Sequence, residues 1–298
     1  MSLTLEAPPQ LHARPSTAPV EERSVVRPVM RPVVRPVVRG VSIYADLTCP
    51  WSYLASRRLA LLEADGLEVD WWMVEHDRSR PGSRVDQVER VEHLQRDLDR
   101  VSGRLLPGED LPHSPAGFVP FTQPAVSGYA EAYLAGVAPK VRRLLFEAFW
   151  LHGVDLGDAR LVRSLLADAV RAGDSRSELV RDWGYAVDVT GAPVSSEAWR
   201  LLRTWRTGWS RAGDGVPLLQ VGDQWRYGVA AIEWLGSELV RRGIDPGSGV
   251  RAPASGAPSP GGADIVDLSW ATQHGNRWMR TRREAHSPES FDRLRRWV

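Results

Sequence analysis

The stretch VSIYADLTCPWSYL, residues 41 to 54, contains the only cysteine of the chain, Cys49. Its first half alternates apolar and polar residues as far as Asp46, which predicts a short β-strand. A helical pattern follows, and Pro50 suits the first helical position, where a missing backbone N–H costs nothing. The stretch therefore predicts a strand that brings Cys49 to the N-cap of a helix.

The predicted position of Cys49 also predicts its reactivity. Unpaired amides and the positive end of the helix dipole at a helix N-terminus favour a thiolate over a thiol. We therefore expect an activated sulfur with a lowered pKa. Ser52 stands one turn later, where a second cysteine would complete a dithiol site, so the chain cannot form an intramolecular disulfide.

Composition and charge bound the class of protein. The chain has 298 residues, of which 43% are hydrophobic and 25% charged, enough for a substantial core. Its formal net charge is +1, with arginine in excess at both ends and an acidic middle that does not suggest a nucleic-acid groove. No apolar run reaches the roughly 18 residues of a membrane span, and no signal peptide is visible. These features predict a cytoplasmic protein without a membrane contact or a nucleic-acid partner.

Low-complexity segments delimit the predicted domain. Residues 1 to 40 include VVRPVMRPVVRPVVRG, whose proline spacing predicts a disordered, Arg/Pro-rich arm. Residues 245 to 263 are rich in Pro, Gly, Ser and Ala, which is typical of a linker. Residues 264 to 298 combine many arginines with three tryptophans and predict a basic C-terminal appendage. One domain is expected between them, over residues 41 to 244.

Hydrophobic periodicity predicts the elements of that domain. The helix after Cys49 is expected to end at Gly66, and residues 67 to 75 alternate as a second strand, which completes a parallel βαβ unit. Residues 85 to 185 form a helical block that opens with an amphipathic helix over residues 85 to 101. Within the block, Asp158 is the predicted N-cap of a later helix.

The last third of the domain predicts a helix, a hairpin and a helix. One helix begins after Ser195 or Ser196, and the two-residue turn Gly222-Asp223 predicts a β-hairpin. A final helix runs from about Ala230 and stops at Gly243.

This order of elements resembles the thioredoxin fold in its DsbA-like form, over about residues 41 to 243. Cys49-Pro50-Trp51-Ser52-Tyr53-Leu54 resembles the start of the active-site helix in cytoplasmic DsbA-family proteins. LFEAFWLHGVDLGDARLV, which begins at Leu145, resembles the insertion helices of that family and of two relatives, kappa-class glutathione transferases and 2-hydroxychromene-2-carboxylate isomerases. The resemblance implies an α/β, thioredoxin-like fold with a helical insertion between the βαβ unit and a cis-proline hairpin.

The resemblance also implies the residues of the site. Gly215-Val216-Pro217 aligns with the family's cis-proline loop, so Pro217 is expected to be cis and to face Cys49. The implied reacting residues are Cys49 and Ser52. The implied partner-binding residues are Pro50, Trp51, Val216 and Pro217, with the backbone of Val216 available to an extended thiol ligand.

Ser52 departs from the two-cysteine pattern and limits the expected chemistry. A lone Cys49 can form a mixed disulfide only with another molecule, so we expect monothiol redox or thiol-transfer chemistry with a thiol-containing small molecule or protein. Two alternatives stay open: a glutathione-dependent transferase or isomerase, and a non-catalytic binding module with a degenerate redox site. A homodimer also stays open.

Glutathione is the one cosubstrate that the sequence leaves open. Glutathione-dependent relatives carry Ser or Asp after the glycine of the last hairpin to hold the γ-glutamyl end, whereas this chain has Gly228-Val229 there. No other cofactor and no metal is predicted, because the seven histidines lack ligand spacing.

One cluster of charged residues and four tryptophans are expected to have structural and not catalytic roles. Glu75-His76-Asp77 is expected to be a hydrogen-bonded or solvated surface cluster beside the second strand. Four tryptophans on amphipathic patterns are expected in the core: Trp71, Trp199, Trp205 and Trp234.

Overall fold

The structure is a computed structural model and describes residues 40–78, 84–112, 117–213 and 215–247. The predicted arm before residue 40, and the linker and appendage beyond residue 247, lie outside the described residues. The described ranges form, in chain order, β1 (Gly40–Ala45), α1 (Pro50–Ala64), β2 (Glu68–Met73), α2 (Arg84–Ser102), α3 (Gln123–Leu134), α4 (Ala138–Trp150), α5 (Ala159–Arg171), α6 (Glu178–Arg181), α7 (Ser196–Ala212), β3 (Leu218–Val221), β4 (Gln224–Tyr227) and α8 (Val229–Arg242).

The four strands form one mixed sheet in the order β2-β1-β3-β4. Strand β2 runs parallel to β1, β3 runs antiparallel to β1, and β4 runs antiparallel to β3. Helix α1 makes the crossover between the two parallel strands, which confirms the predicted βαβ unit. Because β1 and β2 are parallel, their carboxyl ends meet at one edge of the sheet, and Cys49 follows directly from that edge.

Local turn chemistry explains several element ends. The β3–β4 hairpin turns at Gly222, whose φ of 56° suits a residue without a Cβ, as the Gly222-Asp223 pair predicts. Asp158 caps α5 by accepting hydrogen bonds from the amides of Arg160 and Leu161. Gly243 ends α8 in the left-handed region. These three predictions are confirmed.

The helical block lies between β2 and α7 and contains helices α2 to α6. Its first helix, α2, matches the predicted bounds, but its apolar stripe is not buried throughout. Leu94, Leu98 and Val101 are buried, whereas Val85 and Val88 are 65% and 51% exposed. Periodicity gave the orientation of the stripe correctly, but it did not show that Val85 and Val88, at the start of α2, remain exposed.

The predicted tryptophan core is partly wrong. Trp71 and Trp205 are buried, and Trp234 is half-buried. Trp199 is 47% exposed and is therefore not part of the core.

Buried ion pairs connect helix α1 to distant parts of the chain. The guanidinium of Arg58 donates to both carboxylate oxygens of Glu109, at 2.8 and 2.6 Å, and to the carbonyl oxygen of Ile232 in α8 at 2.6 Å. In a second ion pair, the buried Arg142 of α4 binds the half-buried Glu63 at the end of α1 and lies over the ring of Trp71, 4.8 Å from its centroid. The hydrogen bonds to Arg58 compensate for its loss of hydration, whereas the Nε of Arg142 has no hydrogen-bond partner among the described residues.

Candidate active site

Cys49 is the N-cap residue of α1, as predicted. Its backbone is extended (φ −85°, ψ 120°), and its carbonyl oxygen accepts the first helical hydrogen bond from the amide of Tyr53 at 3.0 Å. Pro50 follows at the first helical position, and Ser52 is completely buried one turn into the helix. The thiol of Cys49 makes no capping hydrogen bond.

The sulfur of Cys49 contacts the loop that precedes β3. The Sγ of Cys49 lies 3.8 Å from the carbonyl oxygen of Val216, to which the thiol donates a hydrogen bond. The peptide bond between Val216 and Pro217 is cis, and both residues are buried. Two segments that are 167 residues apart in sequence therefore meet at the cysteine.

The buried carboxylate of Asp46 lies next to the start of α1. Asp46, 2% exposed, accepts hydrogen bonds from the amide and the hydroxyl of Thr48, both at 2.7 Å, and from the amide of His76 at 2.6 Å. Its own amide donates to the hydroxyl of Ser52 at 3.3 Å. Asp46 thus connects the end of β1, the start of α1 and the segment after β2.

Helix α7 supports the Val216 loop from the other side. The indole Nε1–H of Trp209 donates to the carbonyl oxygen of Gly215 at 2.8 Å. The ring of Tyr227 packs so closely on Gly215 that a Cβ there would lie 1.9 Å from its Cε2. Only glycine therefore fits between Tyr227 and the backbone of this loop.

The expectation of a lowered pKa at Cys49 is wrong. Burial raises the pKa of the Cys49 thiol to about 12, although the amide and the hydroxyl of Ser52 act in the opposite direction. The negative charge of Asp46 raises this pKa further. The helix N-terminus does favour the thiolate, but the cost of removing a charged sulfur from water is larger. Desolvation therefore favours the protonated thiol over the thiolate at Cys49.

Glu75 and His76 are closer to the site than the expected surface cluster. Glu75 is buried and forms an ion pair with Arg206 of α7, while Arg78 lies 3.8 Å from the same carboxylate oxygen. The exposed ring of His76 packs edge-on against Trp209, with 6.1 Å between the ring centroids. Glu75 therefore joins the end of β2 to α7, and only the side chains of His76 and Asp77 are solvated as expected.

The structure brings the predicted site residues together at the carboxyl edge of the parallel strands. Cys49, Ser52 and Val216 are joined by the contacts given above, and Pro50 and Pro217 adjoin them in the chain. Trp51 is half-buried beside the cysteine, and its amide also favours the thiolate. Sequence reasoning missed the roles of Asp46 and Trp209. The only signals were the position of Asp46 at the end of a strand and the position of Trp209 on the apolar stripe of the predicted helix, and neither indicates a role at the site.

Within the described ranges, no three His, Cys, Asp or Glu side chains are grouped so that they could hold a metal ion. Among the same residues, no helix is both long and apolar enough to cross a membrane.

A parallel βαβ unit, a cis-proline before an antiparallel hairpin and a cysteine at the helix start together define a thioredoxin fold. Residues 40–183 match the family model described as a DSBA-like thioredoxin domain, so this part of the chain is a DsbA-like thioredoxin domain. No curated protein gives a significant match to the chain.

Solved structures similar to this chain include an isomerase, a disulfide reductase and a probable oxidoreductase. One is 2-hydroxychromene-2-carboxylate isomerase, at 22% identity over 68% of this chain and 95% of that chain, with a TM-score of 0.46. Another is the cytosolic disulfide reductase DsbM from Pseudomonas aeruginosa, at 17% identity over 68% of this chain and 99% of that chain, with a TM-score of 0.43. The third is a probable DsbA oxidoreductase from Streptomyces coelicolor, at 18% identity over 76% of this chain and 98% of that chain, with a TM-score of 0.43.

Proposed function

We propose that this protein is a monothiol oxidoreductase in which Cys49 exchanges disulfides with a thiol-containing small molecule or protein. The observation that carries the proposal is the position of the only cysteine: its Sγ lies 3.8 Å from the carbonyl oxygen of Val216, between the start of α1 and the cis-proline loop. We place this activity in the cytoplasm, where a reducing environment keeps a lone thiol available.

The reaction proceeds in two balanced exchanges. Cys49–SH reacts with a disulfide RS–SR′ to give Cys49–S–SR, and the leaving R′S⁻ takes up the proton that Cys49 loses. A second thiol R″SH then attacks the sulfur of R, so that RS–SR″ leaves and Cys49 regains its proton. Because the chain has no second cysteine, the second thiol must come from another molecule.

The surrounding residues have distinct roles in this scheme. The hydroxyl and the amide of Ser52 stabilise the thiolate that forms during attack, and Trp51 lines the approach. At rest, the carbonyl oxygen of Val216 accepts a hydrogen bond from the Cys49 thiol. When the mixed disulfide forms, the backbone of Val216 becomes available for hydrogen bonds with the bound partner.

The raised pKa of Cys49 slows both exchanges. A thiol of high pKa is rarely ionised at neutral pH, and it is also a poor leaving group from a disulfide. Cys49 should therefore form mixed disulfides slowly and hold them for long. This behaviour suits a protein that keeps a thiol partner bound rather than one that oxidises many substrates rapidly.

The test is to incubate the full chain with oxidised glutathione and to follow its intact mass. We expect one glutathione adduct per chain, its removal by an added small thiol, and no adduct on the Cys49→Ser variant. Glutathione serves here as the simplest disulfide probe, and a peptide disulfide serves as the second one. The absence of an adduct from both disulfides would contradict the proposal.

A binding module with a degenerate redox site is the second candidate, because a thiol with a raised pKa is rarely ionised at neutral pH and only the thiolate attacks a disulfide. The two candidates differ in one measurement. A module would bind its partner equally well with Cys49→Ser, whereas the monothiol oxidoreductase would lose every covalent complex. A glutathione-dependent transferase or isomerase would in addition bind reduced glutathione, which calorimetry measures directly.

A further inference from the structure

Two polar systems lie beside Cys49, and the side chain of Trp209 contacts a residue of each. The first system is the loop of Gly215, Val216 and Pro217, whose Val216 carbonyl oxygen accepts the thiol hydrogen bond at 3.8 Å. The second is the Asp46 carboxylate, which the amide of His76 holds at 2.6 Å. Trp209 donates its indole N–H to Gly215 at 2.8 Å and packs its ring against that of His76.

The position of Trp209 is itself fixed by the helix that carries it. Helix α7 is attached to the end of β2 by the ion pair between Arg206 and the buried Glu75, one turn before Trp209. At its other end, the Ser195 cap is bound to the buried Glu131 of α3. The indole therefore approaches the loop from a helix that is held at both ends.

We propose that Trp209 is a positioning residue, which holds the Val216 carbonyl oxygen within hydrogen-bonding distance of the Cys49 thiol and keeps the loop packed against the sulfur between exchanges. A hydrogen bond to the thiol form disfavours ionisation, and a closely held loop keeps water from the sulfur. Both effects depend on where the loop lies, and the Trp209–Gly215 hydrogen bond is the contact that α7 makes with the loop backbone. This role rests on the proposed exchange at Cys49, but its test does not require an exchange partner.

The test is the pH profile of Cys49 alkylation by iodoacetamide in the full chain. Trp209→Phe keeps an aromatic ring beside His76 but removes the N–H, so the loop can move away and the pKa of Cys49 should fall. We expect alkylation at a fixed mildly alkaline pH to become about three- to tenfold faster, since one pKa unit is a tenfold change in the thiolate fraction.

Three variants make this result specific. Trp199→Phe changes an exposed tryptophan on the same helix and should leave the profile at the wild-type position. Trp209→His retains a ring N–H and should lie closer to wild type than Trp209→Phe. Tyr227→Ala removes the other side chain packed on Gly215 and should shift the profile in the same direction as Trp209→Phe, which preserves the test if Trp209→Phe fails to fold.

The contrary results are equally defined. A lower melting temperature for Trp209→Phe with an unchanged alkylation profile would overturn the proposal, because Trp209 would then have only a packing role. Equal shifts for Trp209→Phe and Trp199→Phe would also overturn it. If oxidised glutathione gave no adduct but Trp209→Phe still showed the expected faster alkylation of Cys49, the result would count against the proposed function and not against the role of Trp209.

Discussion

At the scale of single residues, the pKa of Cys49 results from two opposed sets of neighbours. Burial and the carboxylate of Asp46 raise it, whereas the hydroxyl of Ser52 and the amides of Ser52 and Trp51 lower it. The first set is stronger, so the site combines the geometry of an activated cysteine with the protonation state of a buried one.

Asp46→Asn should lower the pKa of Cys49, because it removes a negative charge that opposes the thiolate. Alkylation of Cys49 at a fixed mildly alkaline pH should then be several-fold faster than in wild type. The matched control is Asp77→Asn, which changes an exposed carboxylate after β2. An Asp46→Asn profile that shifts to higher pH would show that the hydrogen bonds of Asp46, and not its charge, control the sulfur.

The residues of the site were predictable from the sequence to different degrees. Cys49, Pro50 and Ser52 follow from a local strand-to-helix pattern, and Pro217 follows from a family resemblance. The pKa of Cys49 did not follow, because burial depends on segments far away in the chain, such as the loop at Val216. Trp209 was missed for the same reason, since its partner Gly215 is fixed only when α7 packs on the sheet.

At the scale of elements, helix α7 connects the helical block to the site. Its N-cap, Ser195, accepts a hydrogen bond from the amide of Ala198 at 3.1 Å and donates one to the carboxylate of Glu131 at 2.9 Å. Burial raises the pKa of Glu131, while the hydrogen bonds from Ser195 limit that rise. The cap therefore stabilises both the helix end and a buried charge.

Ser195→Ala should destabilise the protein by about 1–2 kcal/mol through loss of the cap, and by more at neutral than at acidic pH. The pH dependence follows from Glu131. Because the pKa of this carboxyl group is raised in the folded state, the protein loses stability as the pH rises through that pKa. The variant removes a hydrogen bond to the carboxylate and raises the pKa of Glu131 further, so the loss is larger at neutral pH. Urea unfolding at two pH values measures both effects.

Ser196→Ala is the matched control, because Ser196 is the exposed neighbour of the cap and should change the stability by less than about 0.5 kcal/mol. If the loss in Ser195→Ala were the same at both pH values, Glu131 would not depend on this cap.

The elements themselves were predicted wherever local chemistry determines them. Gly222, Asp158 and Gly243 have the turn and cap positions that their side chains favour. The errors at Val88 and Trp199 have a common cause: periodicity shows which side of a helix is apolar, but not how far along the helix a neighbour covers it.

At the scale of the whole domain, buried ion pairs join parts of the chain that hydrophobic patterns do not relate. Arg58 binds Glu109, which lies 51 residues away, and the carbonyl oxygen of Ile232, which lies 174 residues away. Neither charged residue was predictable as buried, because the two become partners only after α1, α8 and the loop after α2 have assembled.

Arg58→Ala should destabilise the domain by about 3–5 kcal/mol, because it leaves the buried carboxylate of Glu109 without its partner. Arg104→Ala is the matched control, since its ion pair with Glu233 is exposed and should contribute less than about 1 kcal/mol. Urea unfolding of both variants gives the comparison. Similar losses in the two variants would mean that Glu109 gains other donors or water when Arg58 is removed.

The central claim is that Cys49 reacts as a single thiol which is protonated at rest. It is tested most directly by the rate at which the full chain forms its mixed disulfide with oxidised glutathione as a function of pH. The proposal predicts that this rate rises continuously through and beyond pH ~8.5, the ordinary pKa of a cysteine, for as long as the protein stays folded. A rate that levels off near or below that pH, or the absence of any mixed disulfide, would contradict it.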